Sequence, residues 1–183
     1  MKYIFIDGSY FIFYRYFATL QWWKFAQNEV NDSMHLNDEF VTKFTEFFDK
    51  KLREIPTKLK IKDDFKMIVA LDCPRCNIWR NSFTTDYKGT RKANNEVGEF
   101  FKIVKERNLF DQPYIFHKLE LNALEADDCI ALSINILKNQ PNIDYIYVIT
   151  NDHDYLQLNG DKIILMNLQY KIVGFKKTTG DPK

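Results

Sequence analysis

Seven carboxylates in this sequence stand where their side chains could act together. Asp7, Asp72 and Asp152 each lie at the end of an apolar, strand-like run: Tyr3 to Ile6, Met67 to Leu71 and Tyr145 to Thr150. Glu125, Asp127 and Asp128 sit at a helix start, and Asp154 follows Asp152 by two residues. In an open parallel sheet, functional groups gather beyond the carboxyl ends of the strands, so strand-end aspartates on neighbouring strands converge at one edge. Six or seven carboxylates in one place repel one another unless cations neutralise them. Magnesium and manganese prefer carboxylate oxygen and water, and phosphate esters bind such ions well. Two such ions, ~4 Å apart, can activate a water and stabilise the leaving oxygen of an in-line phosphodiester cleavage. Each acid also has a plain reading, as a turn residue, a helix cap or a complement to the helix dipole. Their joint occurrence at four sheet-edge positions carries the inference to metal-dependent phosphoryl or hydrolytic chemistry.

A basic stretch complements these acids. The net charge over 183 residues is only +1, yet from Arg75 to Lys92 the cations Arg75, Arg80, Lys88, Arg91 and Lys92 face Asp86 alone. Such segregation suits a metal site beside a phosphate-binding surface better than a uniformly basic binder. Other chemistries lack their motifs. The sequence contains no GxxxxGK[ST] loop, no GxGxxG turn, no GxSxG elbow and no HExxH pair, so any hydrolysis must run on carboxylates. The cysteines are Cys73, Cys76 and Cys129, an odd number and too few for a disulfide scaffold.

The elements that must position these residues alternate between strand and helix, which implies an α/β fold with a central, mostly parallel sheet flanked by helices. Strands are expected at 3–6, 67–71, 114–116, 145–150 and 163–166. Phe40, Phe44, Phe47, Phe48, Leu52 and Ile55 fall at helical spacing between Asp38 and Ile55. A further helix covers 94–107, with Val97, Phe100, Phe101 and Val104 on one face. Asn122, with Glu125 three positions later, partly matches a capping box for a helix that buries Ile130, Ile134 and Leu137 and ends near Pro141. The aromatic interval Tyr10 to Phe25 reads as core. One domain is expected over 1–175, followed by a polar tail, 176–183. No apolar run reaches the roughly 18–20 residues of a membrane span, and the first apolar run is too short for a secretory leader, so a soluble, intracellular protein is expected; a monomer is the expected state.

Four sequence blocks resemble the 5′–3′ exonuclease and flap endonuclease family, in the family's order. They are Phe5-Ile6-Asp7-Gly8-Ser9 with Tyr14-Arg15; Ala70-Leu71-Asp72 with Trp79-Arg80 and Tyr87-Lys88-Gly89-Thr90-Arg91; Leu124-Glu125-Ala126-Asp127-Asp128; and Ile149 to Leu158. The last two are the specific ones. The resemblance implies a PIN-like 5′-nuclease core with two Mg²⁺ or Mn²⁺ ions. Asp7, Asp72, Glu125, Asp127 and Asp152 would mainly hold the first ion, while Asp128 and Asp154 would lean toward the second. Lys88 and Arg91, at i and i+3, would face the scissile phosphate as catalytic groups. Arg15, Arg80 and Lys92 would hold nucleic acid, with Tyr87 offering a stacking face. The implied partner is DNA with a 5′ end or 5′ flap, or an RNA–DNA hybrid. Asn151 stands where the family usually has Gly, and the family's downstream helix-hairpin-helix segment has no counterpart here. A C-terminal segment or a partner chain would then complete the second ion's site.

Three other readings compete. Cys73-Pro74-Arg75-Cys76 follows a strand, as a thioredoxin-like redox pair does, although zinc would need two further ligands. A catalytically silent PIN-like nucleic-acid binder would share most of the pattern. So would an RNA-cutting PIN domain, against which the Glu-Ala-Asp-Asp block and the basic stretch weigh.

Overall fold

The computed structural model describes residues 1–83, 95–158 and 160–174. Five parallel strands form one sheet: β1 (Lys2–Asp7), β2 (Phe65–Ala70), β3 (His117–Leu119), β4 (Tyr145–Ile149) and β5 (Ile163–Met166). Their order is β3-β2-β1-β4-β5, so β1 is central and the chain winds outward from it in both directions. The mostly parallel α/β sheet expected from the sequence is thus present.

The period of two in β1 sorts its side chains onto two cores. Ile4 and Ile6, with Met67, Val69 and Ile149, meet the helices α1 (Gly8–Phe25), α2 (Asp38–Lys58) and α3 (Asn95–Glu106). This core is aromatic: Phe40, Phe44 and Phe100 are fully buried and pack edge to face. Phe5, Ile68, Ala70, Ile146 and Val148 face the other way, onto α4 (Ala126–Leu137) through Ile130 and Ile134. Among the described residues no helix is long and apolar enough to cross a membrane.

Three elements differ from the sequence expectations. α1 occupies the interval read only as aromatic core. Its exposed Phe13, Phe17, Trp22 and Phe25 make it apolar nearly all round, which erases the period that marks a helix. β3 lies at His117–Leu119 rather than 114–116. Tyr114 stands in the preceding turn, where its hydroxyl donates to Asp49 Oδ1 at 2.6 Å on α2. Finally, the N-cap of α4 is Glu125, not Asn122. Ala123 takes a left-handed φ of 68°, which delays the helix, and the Asp128 carboxylate accepts from the Glu125 N–H at 3.1 Å.

Candidate active site

β1 and β4 are neighbours whose following segments leave the sheet in opposite senses, so a crevice opens at their carboxyl ends. An open cleft of about 940 Å³ lies there, lined by Asp7, Asp72, Glu125, Asp127 and Asp152. Ser9, Tyr10, Phe13, Phe101, Ala126, Asn151, His153 and Tyr155 also line it. Asp7 is the last residue of β1 and also caps α1, its Oδ1 accepting from Tyr10 N–H at 3.0 Å. Its Oδ2 accepts from the Tyr155 hydroxyl at 3.3 Å and from Thr150 Oγ1 at 3.4 Å. Gly8 is required at this junction, because a Cβ there would stand 2.7 Å from the Ala70 carbonyl oxygen and 2.5 Å from Leu71 Cδ2. The glycine lets β1 turn into α1 tight against β2, which brings Asp7 toward Asp72.

Asp72 follows β2 and is tied on both oxygens: Ser9 Oγ donates to Oδ2 at 2.6 Å, and Ala126 N–H donates to Oδ1 at 2.8 Å. That second bond couples the end of β2 to the first turn of α4. On the β4 side, the backbone folds into a tight turn: Asp152 N–H donates to Thr150 Oγ1 at 3.1 Å, and Asp154 N–H to Asp152 Oδ1 at 3.0 Å. Burial pushes the Asp7 pKa up to about 6, with repulsion from Asp72 and Asp127 adding to it and the Tyr10 and Tyr155 hydrogen bonds opposing it. Burial, followed by repulsion from the adjacent Asp7, holds the Tyr155 phenol far above its ordinary range. Tyr155 therefore stays a neutral phenol that donates to the Asp7 carboxylate rather than acting as an acid.

At the start of α4 the electrostatics are different. One carboxylate oxygen each from Glu125, Asp127 and Asp128 lies within 4.8 Å of the others. The Arg80 guanidinium reaches all three: Nη1 to Glu125 Oε2 at 2.6 Å, a paired contact of Nη1 and Nη2 to Asp128 at 2.8 Å each, and Nη2 to Asp127 Oδ2 at 3.6 Å. Trp79 Nε1 also donates to Asp128 Oδ2 at 3.0 Å, and the guanidinium lies 5.0 Å from the Trp79 ring centroid. Burial, followed by Asp128, raises the Asp127 pKa, while Arg80 lowers it.

The structure thus brings five of the seven acids to one cleft wall. Asp128 and Asp154 are not among the residues lining it. Asp128 turns to Arg80 and Trp79, whereas Asp154 is exposed at the end of the β4 turn. Arg80 meets carboxylates rather than an open phosphate path. Arg15 is 8% exposed, two turns into α1, with its guanidinium 4.7 Å from the Tyr14 ring centroid. Burial lowers the Arg15 pKa from its usual value. Tyr87, Lys88, Arg91 and Lys92 lie outside the described residues, as does the tail at 176–183. Cys73 and Cys129 are buried and Cys76 is exposed, all three as free thiols. Sequence reasoning missed the orienting donors Ser9, Thr150, Tyr155 and Trp79. Ser9, Thr150 and Tyr155 stand within three residues of a strand-end acid in their blocks, and that adjacency is the available signal; Trp79, seven residues after Asp72, carries no such signal for its partner Asp128.

Comparison with known proteins agrees with this geometry. Residues 2–180 match the family described as "5′-3′ exonuclease, N-terminal resolvase-like domain". The curated 5′-3′ exonuclease of Bacillus subtilis (strain 168) is 27% identical over 179 residues, which cover 97% of this chain and 54% of that protein. Among solved structures, the bacteriophage T5 flap endonuclease in a pseudo-enzyme–product complex with DNA and metal ions gives a TM-score of 0.63 at 14% identity, covering 94% of this chain and 57% of its own. The T5 5′-exonuclease with bound zinc ions gives 0.61 at 14% identity, with the same coverage. At these identities the structural likeness establishes the fold alone, a mostly parallel α/β sheet flanked by helices. The chain spans a little over half the length of each of these relatives. By sequence and by fold, the chain belongs to the 5′–3′ exonuclease family, as its N-terminal resolvase-like domain.

Proposed function

We propose that this domain hydrolyses phosphodiester bonds near the 5′ end or flap junction of DNA, with divalent metal ions held in the acidic cleft. The observation that carries the reading is the convergence of Asp7, Asp72, Glu125, Asp127 and Asp152 on one cleft, where Asp7 is pushed up to about 6 by burial and by its acidic neighbours. A carboxylate held that high has no compensating cation among the described residues, and a wall of carboxylate oxygens suits Mg²⁺ or Mn²⁺. When bound, such ions supply a water nucleophile at neutral pH and stabilise charge on the leaving oxygen. The chain's own residues do the rest. Tyr10 N–H, Tyr155 and Thr150 fix the Asp7 carboxylate, while Ser9 and Ala126 N–H fix Asp72, so the oxygens are oriented before any ligand arrives.

Lys88 and Arg91, carried over from the family motif, are the proposed contacts to the scissile phosphate. Tyr87 and Lys92 would flank the strand. The DNA-bound relative supports DNA as the substrate class; an RNA–DNA hybrid is the alternative substrate to include in the assay. Asp152→Asn should abolish cutting of 5′-flap, nicked and single-stranded DNA while leaving the melting temperature within a few degrees of the parent. Undiminished cutting by this variant sinks the assignment. The capture of Asp128 by Arg80 favours a second reading, a binder that does not cut, because it draws one expected ligand away from the cleft. Strand binding without product in saturating Mn²⁺ selects that reading.

A further inference from the structure

Among the described residues, three carboxylates come close enough to share one cation at Glu125, Asp127 and Asp128, and the Arg80 guanidinium sits there. Glu125, Asp127 and Asp128 could hold a metal ion among themselves, their ligand atoms lying within 4.8 Å. Arg80 instead meets them at 2.6, 3.6 and 2.8 Å. A planar guanidinium can bridge several carboxylate oxygens at once, as a small divalent ion can, but it brings one positive charge where the ion brings two. Both cations would claim the same oxygens, and a carboxylate oxygen pointed at Arg80 is not available to an ion. We propose that Arg80 is a resident counter-ion: it holds the start of α4 together without metal, and a divalent ion binding there must displace it.

This inference rests on the proposed metal-dependent reading and deepens it. Three acids, the N-cap Glu125 and the first-turn Asp127 and Asp128, would otherwise repel, and Arg80 relieves that repulsion whenever metal is absent. The side chain is only 25% exposed, so its guanidinium is sheltered while it bridges the acids. Its location explains why a residue carried over as a phosphate contact sits among carboxylates. Displacement would return a cation to the open side of the cleft. The roles of internal counter-ion and phosphate contact would then belong to two states of one side chain.

The test uses the whole chain and reads metal binding, not cutting. Free Mn²⁺ is counted by electron paramagnetic resonance during titration of the parent, Arg80→Met and Arg80→Lys. Arg80→Met, which keeps the stem but not the charge, should tighten the weaker Mn²⁺ binding step, the one at the α4 acids, about tenfold, the scale of one partly buried charge-assisted contact. Arg80→Lys, which keeps the charge but loses the fork, should fall between the two. In parallel, phenylglyoxal labelling of Arg80, mapped by peptide mass spectrometry, should accelerate severalfold when Mn²⁺ is added. Equal or weaker Mn²⁺ binding by both variants, with labelling unchanged by metal, overturns the proposal and leaves Arg80 a structural tie. If Arg80→Met does not fold, Arg80→Lys and the labelling of the parent decide the question alone. Failure of the parent itself to bind Mn²⁺ would defeat the metal-dependent reading as a whole, so the two failures are distinguishable.

Discussion

Replacing Asp7 with Asn should stabilise the protein when metal is chelated, although Asp7 stands at the centre of the proposed site. The carboxyl is pushed from 3.8 to about 6, chiefly by burial. Because the folded state raises this pKa, its contribution to stability is full below about pH 4 and is lost as pH rises through 6. A shift of about two units corresponds to about 3 kcal/mol at neutral pH, an upper bound because the cleft is open to solvent. Asn is nearly the same shape and keeps an acceptor for Tyr10 N–H. The Thr150 and Tyr155 hydroxyls can reverse and accept from its amide, so the existing contacts survive. Asp7→Asn should therefore gain about 1–3 kcal/mol at pH 7.5 in EDTA, or about 3–10 °C in Tm for a domain of this size. The gain should shrink toward zero at pH 4.5. Thermal melts of both proteins across that range measure it. An Asn variant less stable than the parent at pH 7.5, or a difference that does not change with pH, would refute the claim that burial and repulsion govern this carboxyl.

Two other perturbations probe the scaffold and the substrate path. Gly8→Ala should cost about 1–3 kcal/mol in denaturant melts, since its Cβ would meet the Ala70 carbonyl oxygen at 2.7 Å and backbone cannot give way as a side chain can. An unchanged midpoint would show that β1 and β2 have slack at this junction. Lys88→Ala and Arg91→Ala should slow single-turnover cutting more than they weaken strand binding, if both act on the phosphate in the transition state. Equal losses in rate and affinity would mark a diffuse basic patch instead.

The legible parts of this fold were those with a clean period or a clean ending. β1, β2, β4 and β5 are short apolar runs stopped by polar residues, and α2 carries its phenylalanines at helical spacing, so each was read within a few residues. α1 escaped because one face is buried in the core while Phe13 and Phe17 stand exposed on another, leaving no polar side to reveal the period. β3 was misplaced because Tyr114-Ile115-Phe116 looks more strand-like than His117-Lys118-Leu119. Only tertiary pairing, His117 to Leu119 against Ile68 to Ala70, overrides local propensity there. At the site, residue identity announced the acids, but their partners depend on which segments the sheet order brings together. Nothing in the sequence spacing says that Ser9 reaches Asp72, 63 positions away, or that Arg80 turns inward to α4.

Those partners also predict how the cleft will respond to a cation. Asp7 and Asp72 are held by neutral donors: two backbone N–H groups and the hydroxyls of Ser9, Thr150 and Tyr155. Such donors orient a carboxylate and stabilise its charge, but they do not cancel it, and Asp7 is still pushed up to about 6. Glu125, Asp127 and Asp128 already share the positive charge of Arg80. The first divalent ion should therefore settle on the Asp7–Asp72 side, where no arginine among the described residues must be moved. Binding there requires the Asp7 carboxylate, so any proton on it must leave. At pH 6 Asp7 is about half protonated, and saturation with Mg²⁺ or Mn²⁺ should release about half a proton per chain. At pH 8 the carboxyl is already ionised, and the release should be close to zero. Titration calorimetry in two buffers of different ionisation enthalpy measures the difference directly. Metal affinity should fall as pH drops below 6, and Asp7→Asn should lose both the tight binding and the proton release. Proton release of equal size at pH 6 and pH 8 would mean that Asp7 is not the group the ion displaces a proton from.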